Sequence, residues 1–162
     1  MAQRFHRDVS PDLVEDEIGA NSVQFSVGDP VYKNTSGFLA LGVAGSRMIG
    51  WCLENKTVTS DNQTVKKHRV QYVPAYPFIK MVLPGDIVCT QAKVGSFCNF
   101  ATIATGACTV DITNAAGGGT NQLCIRDFDP NRDGTTTDVV VSASETQFLG
   151  FALSVATLNP TT

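Results

Sequence analysis

The segment Asp129-Pro130-Asn131-Arg132-Asp133-Gly134 comes closest, by residue type and spacing, to a chemical site. Oxygen donors at alternate positions followed by a turn glycine match the opening of a calcium loop. Asp129, Asn131 and Asp133 are the candidate metal ligands. Such a loop closes on a bidentate Glu at its twelfth position, and that position here is Val140. Pro130 also stiffens the start of the loop. The competing reading is an Asp/Asn-rich turn joining an apolar run at 122–128 to another at 138–142.

Other chemistry is poorly served. Cys52, Cys89, Cys98, Cys108 and Cys124 form an odd set without C-x-x-C spacing, and four of them sit in apolar or Thr/Val-rich runs. They read as buried, reduced thiols packing as small hydrophobes. The two histidines, His6 and His68, stand in polar surroundings with no Ser or Cys signature beside them. There is no G-x-S-x-G elbow, no H-E-x-x-H, and no Lys-Ser/Thr after Gly117-Gly118-Gly119. The expectation is a protein without catalytic residues or a cofactor, acting by binding.

The elements that would carry such residues are strands. From Ser22 onward, short apolar runs rich in Val and Thr recur between Gly, Pro, Asn, Asp and Ser clusters. The spacing predicts strands at 23–25, 30–32, 38–41, 48–54, 69–73, 78–82, 86–90, 97–103, 108–112, 122–128, 138–142 and 147–155. The fold class is therefore all-β, a small β-barrel or β-sandwich. Residues 1–21 differ, being polar and charged. Ser10, Pro11, Asp12 and Gly19 offer a cap, a first-turn proline, a dipole-compatible acid and a stop. This predicts an N-terminal arm carrying a short helix outside the main core, with one all-β domain over 22–162.

Within that domain the chain echoes itself. Gly28-Asp29-Pro30-Val31 and Ile49-Gly50-Trp51-Cys52-Leu53 are answered by Gly85-Asp86-Ile87-Val88 and Leu149-Gly150-Phe151-Ala152-Leu153. In a strand, Ile49, Trp51 and Leu53 share a large apolar face, and Gly50 and Cys52 a small one that lets a neighbour approach closely. Each Gly-Asp pair would launch a strand. Two similar β-units, 22–82 and 83–156, would explain the echo. The second would carry an insertion at 98–137. Since Gly-Asp turns are common, chance is the competing explanation. Trp51 reads as a core anchor. The stiff segment Tyr72-Val73-Pro74-Ala75-Tyr76-Pro77-Phe78 reads either as a contact surface or as a packed link between the units.

Composition narrows the function classes. The chain has 162 residues, 43% of them hydrophobic, enough for a real core. Only 17% are charged and the net charge is −3, with no basic run longer than Lys66-Lys67-His68-Arg69. That disfavours nucleic acid as a partner. No window reaches the ~20 apolar residues of a membrane span, so no membrane partner is expected. The polar first residues carry no signal-peptide core, and synthesis in a host cytoplasm is expected.

The run from Arg47 to Val65, with its Gly50-Trp51 pair and Thr57-Val58-Thr59-Ser60-Asp61-Asn62-Gln63-Thr64-Val65 stretch, carries a resemblance. Together with Val27-Gly28-Asp29-Pro30-Val31-Tyr32 and Tyr72-Val73-Pro74-Ala75, it resembles head decoration (cement) and minor head structural proteins of tailed bacteriophages. The resemblance implies a small β-module on the outer capsid surface of the virion. It would bind the major capsid protein lattice as a homo-oligomer, commonly a trimer, with residues 1–21 as a gripping arm. Another virion part (tail, connector or head fibre) and a ligand- or calcium-binding β-module are the alternatives. An enzyme is the remotest reading.

Overall fold

The computed structural model describes residues 3–59, 68–117, 121–129 and 136–144. Among these the chain is nearly all β, and no helix is long and apolar enough to cross a membrane.

One antiparallel sheet holds β2 (Glu15–Ile18), β8 (Arg69–Pro74), β6 (Gly50–Cys52), β4 (Pro30–Lys33) and β5 (Leu39–Leu41), in that order. It nearly closes on itself. Gly19, just beyond β2, bridges Leu39 in parallel, and the Ala20 amide donates to the Leu39 carbonyl at 2.7 Å. A short ribbon of β3 (Gln24–Phe25) and β7 (Lys56–Thr57) packs on it. The second sheet runs β1 (Arg4–Phe5), β9 (Lys80–Pro84), β14 (Asp138–Ala143), β13 (Leu123–Phe128), β10 (Phe97–Cys98). It also curls back. β10 leads through Asn99 into β11 (Phe100–Thr102), which pairs with β12 (Thr109–Val110), and Val110 bridges Gly85 at the end of β9. Curling removes most of the unpaired edge that an open sheet would expose.

Period-2 patterning sets the cores. In β9, β13 and β14, Met81, Leu83, Leu123, Ile125, Val139, Val141 and Ala143 all point inward and are fully buried. Ser142, on the opposite face, accepts a hydrogen bond from Arg126 Nε at 2.8 Å. The first sheet faces two cores. Cys52, Val70 and Tyr72 pack inside it with Phe25, Val31, Leu39 and Val58. Trp51 and Val73 point the other way, into the core of the second sheet. Trp51 meets Phe100 edge-on, with ring centroids 5.9 Å apart. The anchor role read for Trp51 therefore holds, and it fastens one sheet to the other. Gly50 is the small residue this requires, because a Cβ there would overlap the Val73 carbonyl oxygen.

Four expectations change. The helix of the first 21 residues is a single 3-10 turn, Pro11–Leu13, and the backbone is extended again at Val14. The surrounding segment is not a detached arm. β1 pairs with β9, β2 pairs with β8, and Gln3 is buried. Pairing with a waiting edge satisfies more backbone groups than a second helical turn on a sequence that then reads Glu-Asp-Glu-Ile. Residues 86–90 form no strand, so Gly28-Asp29 precedes β4 whereas Gly85-Asp86 follows β9. Residues 98–137 are no mere insertion, since Phe100, Val110, Ile112, Leu123 and Ile125 in them are core. The second half of the echo, 149–153, and the strand expected at 147–155 lie outside the described residues.

Candidate interaction surface

The two Gly-Asp pairs do related work from different places. Asp29 is fully buried, where its carboxylate accepts from Gln3 Nε2 at 2.5 Å, the Ser26 amide at 2.8 Å and the Gly106 amide at 2.9 Å. Gln3 in turn accepts the Cys108 amide at 3.0 Å. Burial pushes the Asp29 carboxyl above its ordinary value, against the pull of the Gly106, Ser26 and Gln3 donors. Asp86 caps the other end of the same excursion. It accepts the Ile112 amide at 2.7 Å and the Thr113 hydroxyl at 2.6 Å. Partial burial works upward on Asp86, but these donors hold its carboxyl below the usual value. Both carboxylates are thus committed to holding residues 104–113 in place.

The cysteines behave as read. None is in a disulfide and all five are buried. Burial pushes the thiols of Cys98 and Cys108 up to about 12 and that of Cys52 up to about 11. Thiolates are the nucleophilic and metal-binding form, so these positions are inert at neutral pH. His6 is exposed, its amide donating to Lys80 at 2.9 Å, while His68 is buried at the start of β8. Asp129 closes the β13–β14 hairpin, its amide donating to the Asp138 carbonyl at 3.2 Å. The other two candidate calcium ligands, Asn131 and Asp133, lie outside the described residues. Among the described residues, no group of three or more His, Cys, Asp or Glu is placed to hold a metal.

Among the described residues, four large apolar side chains face solvent, and they stand on turns and loops held by hydrogen bonds. Ile87 and Val88, neighbours in sequence, are 40% and 47% exposed. Their turn is fixed from beneath. The amides of Gly85 and Cys89 donate to the carbonyl and hydroxyl of Thr137, and the Thr137 amide donates to the Ile87 carbonyl. Adjacent exposed side chains are what a turn produces, whereas a strand would have buried one of the two.

A second apolar end lies at the far end of β9. Phe78 is 63% exposed and stacks on Tyr76, with ring centroids 5.1 Å apart and planes 6° from parallel. The turn is pinned by the Ile79 amide donating to the Tyr76 carbonyl. Its stiffness comes from Pro74 and Pro77. This segment carries the chain from β8 of one sheet to β9 of the other, so it is both link and surface. On the same side, the loop bearing exposed Val43 is held by the buried Gln122. That side chain accepts the Gly45 amide and donates to the Val43 and Ser46 carbonyls. Between Phe78 and the 3-10 turn lies a hollow of about 340 Å³ walled by Val9, Leu13 and Ile79.

No family model matches this chain, and no curated protein or solved structure matches it.

Proposed function

We propose that this chain is a non-catalytic virion subunit that decorates the outer surface of a tailed-phage head, docking on the major capsid protein lattice. The observation that carries the reading is the Ile87-Val88 turn, a pair of branched apolar side chains presented outward on a backbone fixed by Thr137. A contact fixed in advance loses little entropy on docking.

Its size suits a cement. Each side chain has about half its surface still to bury, worth about 1 kcal/mol apiece. One such contact is weak, but repetition over a symmetric lattice multiplies it into stable decoration. The buried polar side chains of Gln3, Asp29 and Gln122 brace loops from within, as a scaffold needs. The resemblance across residues 22–88 supplies the phage head as the partner class, and a homo-oligomer such as a trimer as the working form.

The test is co-sedimentation of the purified protein with undecorated phage heads. Saturation at a simple ratio to the capsid subunits supports the proposal. Binding to isolated tails instead, or to neither, overturns it.

A further inference from the structure

We propose that the hollow beside Phe78 is a saccharide-binding site, taking one neutral pyranose ring against the open face of Phe78. It lies at the opposite end of β9 from the Ile87-Val88 turn, so it stands apart from the capsid contact proposed above. Among the described residues, Phe78 is the most exposed large apolar side chain, at 63%. Tyr76 stacks on one face of it, with the ring planes 6° from parallel. One face is thus occupied from within, and the other is left for a ligand. Tyr76 and the flanking Pro77 hold the ring in place before anything binds, so stacking on it costs little entropy.

The groups around that face decide the ligand. The hollow holds about 340 Å³, at the small end of ligand pockets, with room for one ring. Its rim carries His6, Arg7, Asp8, Ser10 and Lys80. Residues 6–10 are tied at both ends. The His6 amide donates to the Lys80 carbonyl at 2.9 Å, and the Ser10 carbonyl accepts the Leu13 amide at 3.0 Å. The Ser10 hydroxyl is not spent on capping the 3-10 turn. The rim therefore mixes cationic donors, Arg7 and Lys80, with a carboxylate acceptor, Asp8, and a hydroxyl. A pyranose answers this set. Its ring offers a flat C–H face to an aromatic ring, and its hydroxyls each donate and accept. A purely apolar ligand would desolvate the rim without pairing it. A phosphate would meet Asp8, a like charge, beside the two cations.

The test is a titration of the full-length protein, followed by amide NMR shifts, with the methyl pyranosides of glucose, galactose, mannose and N-acetylglucosamine. Each is taken to about 50 mM, well above the millimolar constants that one stacked ring should give. Adenosine monophosphate is titrated in parallel. The expected result is saturable shifts with at least one pyranoside, centred on the amides of Arg7, Asp8, Phe78 and Lys80. Phe78→Ala should weaken binding at least about tenfold, whereas Phe78→Trp, which keeps a stacking face, should retain it. Phe78 is largely exposed, so neither change opens the core, and the remaining amide shifts report this. Were F78A to unfold the chain, Asp8→Ala in the exposed loop removes an acceptor instead and should weaken binding about fivefold. No shifts with any pyranoside, shifts centred elsewhere, or binding indifferent to Phe78→Ala and Asp8→Ala overturns the proposal. So does Phe78→Trp binding as weakly as Phe78→Ala. Shifts of these amides with adenosine monophosphate alone overturn it in favour of a nucleotide.

Discussion

The side chains of Gln3 and Asp29 meet at 2.5 Å in a buried position although 26 residues separate them. Gln3 also takes the Cys108 amide, so one glutamine ties the chain start to both sheets. Replacing it by Ala leaves the buried Cys108 amide without its acceptor and removes one of the donors to the buried Asp29 carboxylate, which keeps the Ser26 and Gly106 amides. The expected cost is about 1–3 kcal/mol of unfolding free energy, measured by urea denaturation. Deleting residues 1–21 removes β1 and β2 as well, and the truncated chain is expected to lose its cooperative transition.

The two Gly-Asp carboxylates should respond oppositely to pH. Asp29 is held above its ordinary value. Its contribution is fullest below about pH 4, the unfolded value, and is lost as pH rises through the folded one. Asp86 is held below its ordinary value, so its contribution is present above about pH 4 and is lost as pH falls through the folded value. Unfolding free energies followed across the carboxylate range for Asp29→Asn and Asp86→Asn should therefore depart from wild type with slopes of opposite sign. Slopes of the same sign would contradict these environments.

Gly50 is expected to tolerate no side chain. A Cβ there overlaps the backbone oxygen of Val73, and backbone in a paired strand cannot rotate away. Gly50→Ala should cost about 3 kcal/mol or more, at the upper end of overpacking, read from the shift of the denaturation midpoint. Gly37, whose added Cβ would meet nothing, has φ +83 and tests a different cause, backbone strain alone. Gly37→Ala should cost about 1–2 kcal/mol.

The thiols should be silent in the native state. With Cys98 and Cys108 at about 12, about one thiol in ten thousand is ionised at pH 8. Alkylation is expected to follow the rate of unfolding, with all five cysteines reacting together once urea opens the core. Fast modification of any one of them in the folded protein would place that thiol in a different environment.

Strand patterning and buried polar roles were not equally legible in the sequence. Alternation in Gly50-Trp51-Cys52 is a direct imprint of two-faced burial and located β6 and the anchor role of Trp51, while the Val-rich run at 138–142 located β14. The pairing of β1 and β2 was hidden because edge strands need little apolar pattern. Glu15, Asp16 and Glu17 suit an edge, where Asp16 reaches Arg69 at 3.1 Å and Glu17 reaches Lys33 at 2.7 Å. Asp29, Gln3 and Gln122 were missed as buried residues, since only tertiary partners distinguish a buried amide from a surface one. Ile87 and Val88 misled in the other direction. Two β-branched residues after a Gly-Asp turn read as a strand, and only the Thr137 hydrogen bonds reveal a turn that exposes both.

Co-sedimentation of wild-type protein and the Ile87→Ser/Val88→Ser double variant with undecorated phage heads tests the central claim most directly. Losing about 2 kcal/mol of apolar burial per contact should weaken binding by about 30-fold without lowering the urea midpoint. Wild-type saturation at a simple ratio to the capsid subunits, lost in the folded double variant, is the predicted result. Equal binding by both proteins, or none by the wild type, would contradict the account.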